Sequence, residues 1–424
     1  MAISTPPPVH GHSTRLLGAL LLVAVAAFTS CRNRADWVQF RGDGGSGSTP
    51  NAIFPPLAVK WKLKLQAEGQ KAYAFNNPVV KDDTIYFGST DGNFYALDIA
   101  TGYMKWVFKT QGSINSVPFV DDEKVYVGSN DGTAYALWRK DGRQAWSYNT
   151  GRTIQSTIIG YRTGSQEAIV FISDGGAAFV FSRDGMLLHQ IPNPMCFNFS
   201  FQVYDDVMYF APGPPERPQS FGAYDLKSRS YLFVLDTSRF TATWYSFPAL
   251  KGQRLYFSTV DIAGTGSWLL NYYAFDRMTG QELWSYTDFA AWASHPPADA
   301  EALFERNLKL LDYLAPALWR NLVIYTSGDA VVRAFDGRTG ALAWTRDLGY
   351  PVSAAPAVAG NRVYFGMAGD VSHPPRLVAL SARNGRTLWE METEGELLSA
   401  PLIAGKYMIF GTDEHVFYVL EEVF

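Results

Sequence analysis

Side chains that could carry chemistry are few in this 424-residue chain, and their spacing does not gather them. Beyond residue 30 the histidines are His189, His295, His373 and His415, and no two stand at metal-ligand spacing. A zinc site draws three or four His, Cys or carboxylate ligands to one point, usually with a close pair in sequence, so no metal residue is assigned. The tetrapeptide SHPP at 294–297 and again at 372–375 reads as two loops stiffened by Pro-Pro. No phosphate-binding glycine loop and no strand-to-helix nucleophile elbow occurs. Carboxylates fall mostly in turns, so no general acid and base can be paired. Catalytic and cofactor-binding residues are accordingly none. Cys31 and Cys196 are too few for a disulfide framework. Cys196, beside Phe197 and Phe199, reads as a small buried hydrophobe.

Cys31 has a different setting. Residues 1–14 carry no charged side chain, Arg15 precedes an apolar run over 16–28, and small polar residues lead into the cysteine. This is the layout of an export signal. The run is shorter than the roughly 20 residues a helix needs to cross a hydrocarbon core. The stretch Phe28-Thr29-Ser30-Cys31 resembles a bacterial lipobox, with Phe28 in place of the usual Leu. That resemblance implies a lipoprotein-type signal over 1–30 and lipidation at Cys31; the alternative is cleavage nearby, with Cys31 an ordinary thiol. Arg32 rather than Asp at the next position agrees with outer-membrane sorting. Residues 31–56, rich in Gly, Ser, Pro and Asn, read as a flexible tether.

The elements that follow are repeats. PVVKDDTIYFGSTDGNFYALDIATGYMKW at 78–106 is matched 40 residues later, without a gap, by PFVDDEKVYVGSNDGTAYALWRKDGRQAW at 118–146. Apolar alternation, an Asp-Gly turn, a second strand, another turn and a closing Trp recur in copies ending at Trp284, Trp344 and Trp389. Two central units lack the Trp and place their outer strands near Gln190 and Val234. The last unit, 401–424, stops before a Trp-bearing strand, while LAVKWKLKL at 57–65 supplies such a strand, with Trp61, and nothing before it. Pairing the two closes the array and removes its open edges. The expected fold is all-β, an eight-bladed β-propeller of four-stranded antiparallel blades over 57–424.

Each repeated residue has a structural reason. Asp91-Gly92 and Asp131-Gly132 tolerate the positive φ of a tight hairpin, and Asp98 and Thr101 can bond local backbone donors. Trp61, Trp106, Trp146, Trp284, Trp344 and Trp389 are expected to fill the wedges between blades and to donate their indole N–H to a nearby carbonyl. The rhythm breaks at 288–316, where Phe304, Leu308 and Leu311 share one helical face and Glu305 and Lys309 form an i,i+4 pair, so a helical insertion is expected. Two long loops, 211–221 and 261–267, place Arg217 and Asp261 as candidate partner-binding residues by position. Net charge is −4, with an isoelectric point near 5.9, which leaves no basic field for nucleic acid.

The pattern A-x-D-x-x-T-G-x-x-x-W, nearly whole at 96–106, 274–284 and 334–344, resembles the PQQ-like β-propeller repeat family, as does DWVQFRG at 36–42. Two branches are implied. Quinoprotein dehydrogenases hold PQQ and Ca²⁺ over the propeller axis, are generally longer and often carry a vicinal Cys pair, which is absent here. The BamB-type lipoproteins of outer-membrane assembly have a lipobox, a short tether and one cofactor-free propeller, and this plan matches in size and order. The resemblance implies an exported, non-catalytic outer-membrane lipoprotein facing the periplasm and binding the POTRA domains of a barrel-assembly protein. The alternatives are an exported ligand-binding or sensory propeller and, behind it, a PQQ- and calcium-dependent dehydrogenase.

Overall fold

The computed structural model describes residues 36–64, 76–164, 166–174, 177–192, 196–212, 220–236, 244–245, 247–264, 267–290 and 315–423. Alternating apolar residues form strands that assemble into eight sheets with antiparallel blades; seven blades are built from consecutive strands and the eighth from both ends of the series. Blade 1 is typical: Val79–Lys81, Thr84–Gly88, Asn93–Asp98 and Met104–Lys109. Blades 2 to 7 repeat it from Phe119, Ile159, Cys196, Ala249, Ala317 and Ala357. Blade 8 has Leu402–Ala404, Tyr407–Gly411 and Val416–Glu422, and its outer strand is Leu57–Lys64, with Trp61 opposite Val419. The expected closure of the ring by the two ends of the sheet series is therefore present.

The apolar core is divided among the seams. Val125 and Leu137 of blade 2 pack with Phe94 and Trp106 of blade 1, and an equivalent buried cluster fills each following seam. Phe417 of blade 8 joins Ile85 and Phe87 of blade 1 in the last one. Each sheet buries both faces, which is why middle strands such as Thr84–Gly88 are buried at every residue.

The indole N–H of Trp61 donates to the Ile99 carbonyl, Trp106 to Arg139, Trp146 to Arg183, Trp284 to Gly337 and Trp344 to Ala382, at 2.7–3.1 Å. Trp389 packs on the core between blades 7 and 8. In the two Trp-free blades the outer strands are Leu187–Pro192 and Ser230–Asp236, which include Gln190 and Val234 as expected. A bulge recurs opposite each Trp, as between Ala96 and Leu97 in blade 1. In blade 3 it places His189, opposite Val180, at the Trp position, and in blade 4 it places Phe233, opposite Ala223. Gln190 and Val234, being next in sequence, point to the other face.

Candidate functional site: a channel closed by the N-terminal segment

Residues 36–56, expected as part of a loose tether, are instead built into the propeller. The Asp36 carboxylate accepts from Lys81 Nζ at 3.2 Å and from the Asp82 backbone N–H at 3.1 Å. Trp37 bridges to Val80 in antiparallel fashion, and the Val38 carbonyl accepts the Val120 N–H at 2.9 Å. The chain then crosses the axis. Phe40 packs with Val117, Phe247 and Ala315, which lead into blades 2, 5 and 6, and its ring meets Phe247 edge-on at 5.0 Å. Arg41, 2% exposed, donates through Nη2 to the carbonyls of Pro316 at 2.5 Å and Pro356 at 3.2 Å, before blades 6 and 7.

A single helical turn, Asp43–Gly45, brings the backbone against blades 4 and 5. A Cβ on Gly45 would stand 2.4 Å from the Pro248 carbonyl oxygen, so no larger residue seats here. The Ser46 carbonyl accepts the Leu318 N–H, and Ser48–Thr49 adds as a parallel strand to Ala357–Ala359 of blade 7. Beyond it, the Ile53 carbonyl accepts the Tyr364 hydroxyl at 2.7 Å. The inner strands of a propeller offer unpaired backbone groups to the channel, and this segment satisfies several of them at one end. Composition was legible here, but its use was not: the glycines permit close approach, while Trp37, Phe40 and Ile53 are buried anchors.

Beside the stopper lies a recess of about 420 Å³, lined by Ser46, Ser48 and Thr49 and by Lys251, Trp319 and Arg320 of blades 5 and 6. It opens among turns that join first to second strands; these and the turns that join third to fourth strands form one end of the ring, called here the hairpin face. Over blades 1 to 5 charges on this face interlock across seams. Arg139 holds Asp82 at 2.8 Å, Arg183 holds Asp121 at 2.8 Å and Arg277 holds Asp205 at 2.7 Å. The Tyr126 hydroxyl donates to Asp121, and burial together with that carboxylate pushes its pKa up.

The opposite end carries a buried charge cluster between blades 5 and 6. Arg333, 2% exposed, forms a two-point bond with Asp329, itself fully buried, and a third bond through Nε to Asp288 at 3.0 Å. Asp288 lies near the end of the outer strand Glu282–Phe289, next to the stretch expected as a helical insertion. Residues 291–314 of that insertion lie outside the described residues.

Of the residues singled out by sequence, Cys31 and Arg217 also lie outside the described residues, and Cys196 begins the first strand of blade 4. Asp261 is not on a long loop. The strands Arg254–Gly264 and Ser267–Asp276 form one extended hairpin, in which the Asp261 carboxylate accepts from Asn271 Nδ2 at 2.8 Å. His373 stacks on Tyr350 at 4.7 Å. Both support Asp370, whose pKa is lowered to about 2 by the Tyr350 hydroxyl first and then by the His373 backbone N–H. The structure does not bring Asp261, His189, His373 and His415 together. No group of three or more His, Cys, Asp or Glu among the described residues could hold a metal ion.

A family model described as outer membrane protein assembly factor BamB matches residues 58–198 and 328–423, more than half of the chain. The crystal structure of BamB from Moraxella catarrhalis superposes with a TM-score of 0.59 at 15% identity, covering 87% of this chain and 98% of that one. A quinohemoprotein alcohol dehydrogenase from Comamonas testosteroni superposes with a TM-score of 0.62 at 16% identity, over 93% of this chain and 82% of that one. At such identities these likenesses show the fold. In sequence, 132 residues are 29% identical to the quinoprotein alcohol dehydrogenase PedH of Pseudomonas putida, spanning 30% of this chain but a fifth (20%) of that relative.

Proposed function

The chain belongs to the outer membrane protein assembly factor BamB family of PQQ-like propellers, and from that premise we propose that it is a non-catalytic, exported scaffold lipoprotein. In this reading Cys31 carries the lipid, the propeller faces the periplasm of the outer membrane, and its surface binds the POTRA domains of a barrel-assembly protein. The observation that carries the reading is the stopper: Phe40 and Arg41 of the chain itself occupy the axis, where a propeller enzyme would place a cofactor or substrate. Rigid seams and a filled axis suit a body whose work is done by its faces and loops.

Affinity capture from detergent-solubilised envelopes tests this, with a POTRA-containing barrel protein as the expected prey; its absence would sink the scaffold reading. Cys31→Ala is expected to release the protein into the soluble periplasm. The likeness to PedH favours one second reading, a quinoprotein dehydrogenase. Purified protein mixed with PQQ and Ca²⁺ would then develop the cofactor's absorbance and reduce a dye with alcohols; a blank result removes that reading.

A further inference from the structure

The charges of the hairpin face are unevenly matched. Lys251, Arg320, Arg338, Arg383 and Arg386 of blades 5 to 7 are exposed, and none forms a salt bridge among the described residues; on blades 1 to 4 Lys140 and Arg229 are likewise exposed without one, but they stand singly among interlocked pairs. Arg362, on the same arc, lies over the ring of Phe54 at 4.3 Å, and Phe54 is half exposed. A protein of net charge −4 thus presents a basic crescent on one sector of one face.

The start of the stopper sets where that face can lie. Asp36 is fastened to Lys81 and to the Asp82 backbone, in the first turn of blade 1, on the hairpin face. Cys31 is five residues upstream. Whatever path residues 32–35 take, five steps of chain reach no more than about 18 Å. A lipid on Cys31 would therefore keep the blade 1 attachment point within that reach of the bilayer. Had 31–56 been a tether, the propeller could have turned freely; with 36–56 fixed, it cannot retreat far.

We propose that the basic crescent of blades 5 to 7 is a membrane-docking surface, which seats the hairpin face on anionic phospholipid headgroups. This rests on the proposed lipid at Cys31. Each cation near such a surface contributes about 1 kcal/mol of attraction, and exposed Phe54 adds an apolar contact at the edge of the arc. Docking this face leaves the opposite end, with the base of the 288–316 insertion, turned toward protein partners.

The test uses the full chain with Cys31→Ala, purified from the soluble periplasm, and flotation with vesicles of phosphatidylethanolamine containing about 30% phosphatidylglycerol, against neutral phosphatidylcholine vesicles. Binding is expected to the anionic vesicles alone and to vanish near 0.5 M salt, where screening is about 4 Å. The triple variant R338E/R383E/R386E is expected to bind at least about tenfold more weakly, while K140E/R143E on blade 2 binds like the parent. Equal melting temperatures establish that all are folded. Equal binding to both vesicle types, or undiminished binding by the triple variant, overturns the crescent. So does loss of POTRA capture by the triple variant with vesicle binding unchanged, which would make the arc a protein site. Failure of the anchor reads differently: the parent and the Cys31→Ala protein would then divide alike between salt-washed membranes and the soluble periplasm, whatever the vesicles show.

Discussion

The indole of Trp106 rests on the Cα of Gly142 across the seam between blades 1 and 2, where an added Cβ would stand 2.5 Å from the ring. The same pairing joins Trp61 to Gly102, Trp146 to Gly185, Trp284 to Gly340 and Trp344 to Gly385. The glycine of each of these turns is thus required twice, by its positive φ and by its neighbour's tryptophan. Gly142→Ala is expected to cost about 3 kcal/mol, the left-handed backbone supplying about 1–2 and the clash the rest. Trp106→Ala should cost about 3–5 kcal/mol. Chemical denaturation measures both; a Gly142→Ala loss below about 0.5 kcal/mol would mean that the seam yields.

Between blades 3 and 4 both partners are exchanged. His189 takes the Trp position, and Arg229, at φ 58°, takes that of the glycine. Burial first, and then the charge of Arg229, lower the His189 pKa from its usual 6.5. Between the lowered value and 6.5 the unfolded chain binds a proton that the folded chain does not, so stability falls as pH drops through this window and levels off below it. His189→Gln is expected to flatten the melting temperature over that range. A parallel shift, with the slope kept, would place the titration elsewhere.

Restoring the common pair tests the seam from the other side. Arg229→Gly removes a strained φ, and His189→Trp alone meets the Arg229 side chain. Together they are expected to be more stable than the sum of the single changes by about 1 kcal/mol or more in a double-mutant cycle. Additivity would show that the two positions do not touch.

Arg41 supplies the buried hydrogen bonds that pin the stopper to Pro316 and Pro356. Arg41→Ala leaves two carbonyls without that donor and is expected to cost about 2–5 kcal/mol. Gly45→Ala, blocked by the Pro248 carbonyl, should release the same segment. Limited proteolysis reads the outcome: cleavage within 36–56 should appear in either variant before the blades are cut. Equal resistance would mean that the segment is held chiefly by Trp37 and Ile53.

Asp329 and Arg333 form a buried ion pair, which is costly to break and cheaper to replace. Asp329→Ala is expected to destabilise by about 3–5 kcal/mol, and D329L/R333M by less than that single change. Thermal melts order the two; the reverse order would show that Asp288 alone suffices to hold Arg333.

The repeat was legible because a strand's period and a turn's chemistry are local. Asp91 accepting from the Asn93 backbone N–H involves residues two apart, and the gapless match of 78–106 with 118–146 repeats that bond as Asp131 accepting from Thr133. The closing strand at Trp61 was legible for a related reason: a strand without neighbours must find an edge. What the sequence determined by itself was therefore the blade, the number of blades and the closure of the ring. It left open which residue fills the Trp position in the two Trp-free blades, since a bulge has no local signature once its Trp is gone. Only the tertiary structure decided the place of residues 36–56. Glycines that keep a tether loose and glycines that let a backbone lie against foreign carbonyls are the same residues, and the difference rests on Pro248, Pro316 and Pro356, more than 200 positions away in the chain.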